Sequence, residues 1–206
     1  MKLDNKYIIG LTGGIGCGKT MILDYFKNEY DSFVIEADKI GHSIMDYGTP
    51  GYDSVVNVFG EQIVNKENDV PYIDRKILGQ IVFNDNEKLE LLNSVTHPLI
   101  HEKIVKLIND CNEKLIIIEA AILLDSSLRA LCDTLWYVYA DEKVRLERLQ
   151  KYRNIDNVKA LQIIKNQPTD MEFRDACQVV IDNSFDKENT YEQIKINLPG
   201  GRLWEK

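Results

Sequence analysis

Short apolar runs recur along the chain, and stretches with helical spacing separate most of them. The runs that predict strands are residues 7–12, 33–35, 115–118, 135–139 and 179–181. Strands that alternate with helices favour a parallel sheet covered on both faces. We therefore predict an α/β fold with a parallel sheet of about five strands flanked by helices.

The interval between the second and third runs is too long for a simple crossover. Residues 39–112 contain several helical patterns, such as the one formed by Leu89, Leu92, Val95 and Ile100. We predict that this stretch is a mostly helical insertion. Residues 142–175 are also helical in pattern and basic on one side, and we predict that they form a lid. The core would then comprise residues 1–38, 113–141 and 176–206.

A glycine-rich segment directly follows the first predicted strand. Its residues, Gly13-Gly14-Ile15-Gly16-Cys17-Gly18-Lys19-Thr20, match the pattern G-x-x-x-x-G-K-[ST] at every fixed position. Downstream, Met21, Ile22, Tyr25 and Phe26 fall on one helical face. A strand, a glycine loop and a helix in this order form a phosphate-binding loop, whose N–H groups surround phosphate oxygens. The alternative is a glycine-rich turn that only caps a helix, but the complete match favours a nucleotide-binding core.

Composition and charge narrow the function classes. The 206 residues have a formal net charge of −8, which disfavours general nucleic-acid binding or a membrane-surface role. No apolar run approaches the roughly 18 residues that cross a bilayer, and we expect no signal peptide before the first strand. The cysteines, at 17, 111, 132 and 177, lack metal-ligand spacing. We expect reduced thiols in a cytoplasmic protein that is a monomer or a small homo-oligomer.

Two acidic residues follow predicted strands. Asp38 comes after the strand 33–35, at the sheet edge where ligands bind in parallel sheets. Its carboxylate could accept a proton from a hydroxyl, support Mg²⁺ through water, or cap a helix beginning at Lys39. Glu119 ends the strand 115–118, where phosphate-loop proteins carry a metal-supporting acid, although an ordinary strand ending at the surface also explains it.

Basic residues are concentrated between positions 143 and 165, and Arg145 and Arg148 lie one helical turn apart. Such a helix is usually a solvated face. Beside a triphosphate site, an arginine clamp is favoured, because the guanidinium pairs with phosphate oxygens in a bidentate way. In the insertion, Arg75 is the better candidate for binding an anionic substrate, whereas a histidine such as His97 is more often packed or capping.

These residues together resemble the dephospho-coenzyme A kinase family, from residue 7 to about residue 185. The matching elements follow the family's order: residues 9–20, Glu36-Ala37-Asp38, Ile73-Asp74-Arg75 with Val82-Phe83, His97-Pro98-Leu99-Ile100 and Val180-Ile181-Asp182-Asn183. Arg148 falls on the first arginine of the family's lid, and Gln167 falls on the glutamine that closes the lid helix.

The resemblance implies transfer of the γ-phosphate of ATP to the ribose 3′-hydroxyl of dephospho-CoA, giving CoA and ADP. It implies catalytic roles for Asp38 as the base, Lys19 on the β- and γ-phosphates, and Arg148. Thr20 would hold Mg²⁺, and Asn183 would lie near the nucleotide base. The acceptor would be bound by Thr12, Asp38, Arg75 and His97.

Several positions depart from the family's pattern. Arg145 replaces a frequent Gln, and Tyr152 stands at the second lid arginine, so that either Arg148 or Arg153 could be the clamp. Further departures include Glu36 for Asp, Gln178 for Asp and Phe185 for Gly. A nucleoside monophosphate kinase and an ATP-hydrolysing regulatory protein would share the loop, but the motifs of the insertion favour dephospho-CoA kinase.

Overall fold

The computed structural model of the chain describes residues 6–67, 69–83, 85–120, 123, 127–200, 204 and 206. It divides into two units, one formed by residues 1–35 with 111–206 and the other by residues 36–110. Among the described residues, no helix has the length and apolarity that crossing a bilayer requires.

Each of the five predicted apolar runs forms a strand, and two further short strands were not predicted. In chain order the helices and strands are β1 (Tyr7–Thr12), α1 (Lys19–Glu29), β2 (Ser32–Glu36), α2 (Ala37–Ser43), α3 (Pro50–Phe59), β3 (Val64–Asn65), β4 (Tyr72–Ile73), α4 (Arg75–Phe83), α5 (Asn86–Asp110), β5 (Leu115–Glu119), β6 (Thr134–Tyr139), α6 (Glu142–Arg153), α7 (Asn157–Lys165), α8 (Asp170–Ala176), β7 (Val179–Asp182) and α9 (Lys187–Asn197).

The larger unit is built on a five-stranded sheet in the order β2-β5-β1-β6-β7. The pairs β1–β5, β1–β6 and β6–β7 are parallel, which confirms the predicted sheet. Residues Ile116, Ile117 and Ile118 are fully buried, because helices cover both faces of a parallel sheet. Parallel strands place their carboxyl ends at one edge, so Thr12, Glu119 and the end of β6 lie along the same side.

Helix α1 packs on the sheet through the face that its apolar spacing predicts. Its buried side chains are Ile22, Leu23 and Phe26, and Phe26 contacts the ring of Trp136 on β6. Tyr25 is partly buried and stacks on Tyr191 of α9, with the ring centroids 3.8 Å apart. The start of α1 is therefore held rigidly against the sheet core.

The smaller unit is mostly helical, with a short antiparallel hairpin of β3 and β4. Helix α5 packs against α2, α3 and α4. Thr49 caps α3 by accepting a hydrogen bond from the backbone N–H of Tyr52, and Pro50 occupies the first turn, where its missing N–H costs little. The core of this unit is formed by Tyr52, Val55, Phe59, Ile63, Ile73, Leu78 and Val82.

Candidate active site

The segment between β1 and α1 turns over glycines with positive φ. Gly13, Gly16 and Gly18 have φ values of 149°, 78° and 92°. A Cβ on Gly13 would lie 2.5 Å from the carbonyl oxygen of Val138, so no side chain fits there. Gly18 immediately precedes α1, which has neither a side-chain cap nor an acidic residue in its first turn. The N–H groups at this helix terminus are therefore open to an anionic ligand.

Lys19 folds its side chain back over this loop. Its Nζ donates to the carbonyl oxygen of Gly13 at 2.7 Å and lies 3.6 Å from a carboxylate oxygen of Glu119. The two side chains are only 16% and 12% exposed, so solvent screens their attraction weakly. The ammonium group is thus held above the loop, where the sequence predicts that it meets phosphate.

Two threonines flank the loop. Thr12, at the end of β1, is fully buried, and its Oγ1 has no hydrogen-bond partner among the residues that the structure describes. Such an unsatisfied buried hydroxyl is uncommon and marks a place where a ligand or water completes the bonding. Thr20 is exposed in the first turn of α1.

No group of three or more His, Cys, Asp or Glu side chains in the described parts of the chain could hold a metal ion alone. Mg²⁺ does not require such a group, since it is usually bound by one or two protein oxygens together with phosphates and water. The hydroxyl of Thr20 and the carboxylate of Glu119 supply oxygen donors of that type, so the loop fits Mg²⁺ that arrives with a nucleotide.

Helix α6 contributes two arginines that contact the loop. Arg145 Nε donates to the carbonyl oxygen of Ile15 at 2.8 Å. Arg148 Nη2 donates to the carbonyl oxygen of Asn183 at 2.9 Å, and its Nη1 lies 3.4 Å from the carbonyl oxygen of Cys17. Arg153, the other candidate clamp, is an exposed residue at the end of α6. The structure therefore brings Arg145 and Arg148 to the loop.

Asn183 ties the loop to the end of β7. Its side chain is buried, its Nδ2 donates to the carbonyl oxygen of Cys17 at 2.7 Å, and its Oδ1 accepts from Thr190 Oγ1 at 2.9 Å. Its backbone N–H also bonds to Tyr139. The side chain of Asn183 thus holds the backbone of the loop at Cys17. Its contact with the nucleotide base stays a prediction.

Asp38 is the second residue of α2 and is exposed. The N-cap position of this helix is Glu36, so the interpretation of Asp38 as a helix cap is wrong. Its side chain forms no hydrogen bond or ion pair with any part of the chain that the structure describes. The carboxylate is therefore available for chemistry.

Arg75 lines a cavity of about 410 Å³ within the smaller unit. Asp74 caps α4 by accepting from the backbone N–H of Lys76 at 2.8 Å, which places Arg75 at the first position of that helix. The other residues lining the cavity are Lys39, His42, Ser43, Met45, Asp46, Tyr72 and Ile73. His97 lies in α5 and is not among them.

Sequence reasoning missed Lys39 and His42. They are three residues apart on α2 and therefore lie on the same face of the helix. That spacing is the sequence signal from which the pair could have been predicted. With Arg75 they give this cavity a basic lining, although Lys39 also pairs with Glu36 at 2.8 Å and Asp46 contributes a negative charge.

A family model described as dephospho-CoA kinase matches residues 7–189. The chain belongs to the dephospho-CoA kinase family. The dephospho-CoA kinase of Carboxydothermus hydrogenoformans is 37% identical over 190 residues, which cover 91% of this chain and 90% of the relative. That of Aquifex aeolicus is 38% identical over 188 residues, covering 91% and 93%.

The solved structure of a dephospho-CoA kinase from Campylobacter jejuni has the same fold. It superposes with a TM-score of 0.66 at 24% identity and covers 96% of this chain and 98% of that one. The predicted family is therefore confirmed, and the chain is a kinase, for which ATP is the co-substrate.

The structure explains one departure from the family's pattern. Gln178 accepts a hydrogen bond from the backbone N–H of Leu135 through its Oε1 at 2.8 Å, and its own N–H donates to the carbonyl oxygen of Leu135. The glutamine thus joins the start of β7 to β6. Phe185 is 65% exposed, and no contact explains its choice.

Gly18→Ala is expected to destabilise the fold by about 2–3 kcal/mol and to weaken ATP binding. Positive φ costs an alanine about 1–2 kcal/mol, and the new Cβ would collide with Asn183 Nδ2 and break a buried hydrogen bond worth about 1 kcal/mol. Urea denaturation and calorimetric titration with ATP measure the two effects.

Gly48→Ala is the matched control, because Gly48 lies in a turn with a φ of 81° and has no atom within 4 Å of an added Cβ. Its free energy of unfolding should fall only by the cost of the positive φ, and its ATP affinity should be unchanged. Equal destabilisation in the two variants would show that the contact with Asn183 does not matter.

Proposed function

We propose that this kinase transfers the γ-phosphate of ATP to the ribose 3′-hydroxyl of dephospho-CoA, giving CoA and ADP. The observation that carries the proposal is the glycine loop of the larger unit. It has an uncapped helix terminus, with Lys19 folded onto it, in a chain of this family. Its partners are then the small molecules ATP and dephospho-CoA.

The loop, residues 13–20, would bind the phosphates of ATP. Its N–H groups and the ammonium group of Lys19 supply positive charge where phosphoryl transfer concentrates negative charge. Mg²⁺, held by Thr20 and supported by Glu119, would neutralise phosphate oxygens when bound. Arg148 would stabilise the charge that develops on the transferred oxygens.

Asp38 is the proposed base. Its carboxylate is exposed and has no bonding partner among the described residues, so it can orient the acceptor hydroxyl and take its proton as the new P–O bond forms. The guanidinium of Arg75 in the cavity that it lines suits the anionic diphosphate of dephospho-CoA. Thr12 and His97 remain proposed acceptor contacts.

The cytoplasm is the compartment that we propose. Cys17, Cys111, Cys132 and Cys177 are all free thiols, which fits a reducing environment.

Arg148→Ala is expected to lower kcat roughly tenfold while changing ATP affinity less. A charged hydrogen bond strengthened in the transition state is worth about 1.5 kcal/mol or more, and its loss appears in kcat rather than in ground-state binding. Steady-state kinetics and calorimetric ATP titration separate the two quantities.

Arg153→Ala is the comparison, since Arg153 lies on the same helix and is exposed. It should behave like the unmodified enzyme. A normal kcat with a raised KM for ATP in Arg148→Ala would make the clamp role wrong, and a kcat loss confined to Arg153→Ala would assign the clamp to that residue.

The acceptor is tested by coupled release of ADP with dephospho-CoA, AMP or dCMP, and with no acceptor. We expect release that depends on dephospho-CoA. Release that depends on AMP or dCMP would indicate a nucleoside monophosphate kinase. Release that is slow and independent of every acceptor would indicate a regulatory ATPase.

A further inference from the structure

The backbone of Ile15, in the glycine loop, is hydrogen-bonded through both its N–H and its carbonyl oxygen. Its N–H donates to Gln167 Oε1 at 2.8 Å, and its carbonyl oxygen accepts from Arg145 Nε at 2.8 Å. Arg145 Nη2 also donates to the same Gln167 oxygen at 3.1 Å. Three hydrogen bonds therefore close a ring through the backbone of one loop residue and two side chains.

The ring fixes the orientation of the glutamine amide. Both of its partners are N–H donors, so only the oxygen of Gln167 can face them. The arginine approaches so closely that a Cβ on Gly14 would displace its guanidinium group. Both side chains are partly buried, so water competes weakly for these bonds.

Arg145 and Lys19 act on the same short stretch of backbone. Lys19 bonds to the carbonyl oxygen of Gly13, and Arg145 bonds to that of Ile15. Burial raises the pKa of the Cys17 thiol beneath the loop, and the positive charges of Lys19 and Arg145 oppose that rise. Two cations are thus held over the first half of the loop.

Gln167 is carried by a segment that is anchored to the sheet. It lies in the turn between α7 and α8, and its N–H bonds to the carbonyl oxygen of Ile164. On α8, Phe173 stacks on Tyr137 with the ring centroids 4.5 Å apart, and Arg174 lies 5.0 Å from the ring centroid of Tyr139. The glutamine is therefore a fixed support for the loop.

We propose that Arg145 and Gln167 are positioning residues that hold the two peptide groups on either side of the Ile15 Cα and so keep the loop shaped for the phosphates of ATP. The proposal rests on the proposed function of the loop, and it adds two residues to which that function gave no role. A loop with glycines at 13, 14, 16 and 18 loses much conformational entropy when ordered. The ring of hydrogen bonds orders the loop before ATP binds. Without the ring, ATP binding has to order the loop, so ATP affinity falls.

The test measures ATP affinity by calorimetry, together with kcat and KM, for Arg145→Ala, Gln167→Ala and the double variant. Each single variant should bind ATP about tenfold more weakly, with the KM for dephospho-CoA unchanged. The double variant should be little worse than either single variant, because the two side chains bond to each other and to the backbone of the same residue. Gln167→Glu keeps the accepting oxygens and should recover most of the lost affinity.

Lys143→Ala is the matched control, since it removes an exposed cation from α6 without touching the loop. It should retain normal ATP affinity. Variants that unfold at lower denaturant concentration but bind ATP normally would overturn the proposal, and so would fully additive losses in the double variant.

Failure of the inference can be told apart from failure of the proposed function. An unmodified enzyme with no dephospho-CoA-dependent release of ADP, or a Lys19→Ala variant with normal turnover, would overturn both. The inference alone would be overturned by a different set of results. In that set the unmodified enzyme transfers phosphate normally, Lys19→Ala does not, and the Arg145 and Gln167 variants bind ATP with unchanged affinity.

Discussion

Lys19→Ala is expected to lose at least roughly a hundredfold in kcat while remaining folded. Nothing in the hydrophobic core depends on this side chain, whose charged end bonds to Gly13 and approaches Glu119. In the transition state, by contrast, a preorganised donor facing developing phosphate charge contributes several kcal/mol. Coupled release of ADP gives kcat, and circular dichroism with urea denaturation monitors the fold.

Lys27→Ala is the control for the loss of a lysine from the same helix. Lys27 is exposed in the last turn of α1, far along the helix from the loop. It should turn over normally. Normal turnover in Lys19→Ala would remove the assignment of residues 13–20 as the phosphate-binding loop.

Asp38→Asn is expected to lower kcat by about 10²–10⁴-fold, the usual contribution of a general base. Asparagine keeps the size of the side chain and much of its hydrogen bonding but cannot take a proton. Because the carboxylate has no partner among the described residues, the substitution breaks no bond there, and stability should fall only by the helix-dipole contribution of about 0.3–1 kcal/mol. ATP affinity measured by calorimetry should also remain normal.

Asp53→Asn is a close structural control. Asp53 is likewise an exposed acid in the first turn of a helix, α3, so its replacement removes the same interaction with the helix dipole, worth about 0.3–1 kcal/mol. Loss of kcat in Asp38→Asn alone supports the base. Equal effects of the two substitutions, or normal turnover in Asp38→Asn, would leave the mechanism without its base.

Much of the fold could be predicted because its signals are local. Fully buried parallel strands give continuous apolar runs, as in Ile116-Ile117-Ile118, and the face of α1 follows from its spacing. The strand order β2-β5-β1-β6-β7 was beyond prediction, because it depends on which edges pair in three dimensions. The chain order of the runs contains no record of that pairing.

In the candidate site, too, local features could be predicted from the sequence and long-range contacts could not. The loop is a short motif and is recognised from neighbouring residues, whereas its supports come from distant parts of the chain. Gln167 and Ile15 are 152 residues apart, and Asn183 and Cys17 are 166 apart. An asparagine after a strand can donate or accept with many partners, so its pattern could not reveal that it binds the loop backbone.

The central claim is tested most directly by following the γ-phosphate itself. ATP labelled in that group is incubated with the unmodified enzyme and dephospho-CoA, and the labelled product is separated and digested to locate its phosphate. We expect the label on the ribose 3′-oxygen of CoA, in an amount equal to the ADP released. Label that appears as inorganic phosphate at the same rate with and without dephospho-CoA would contradict the account.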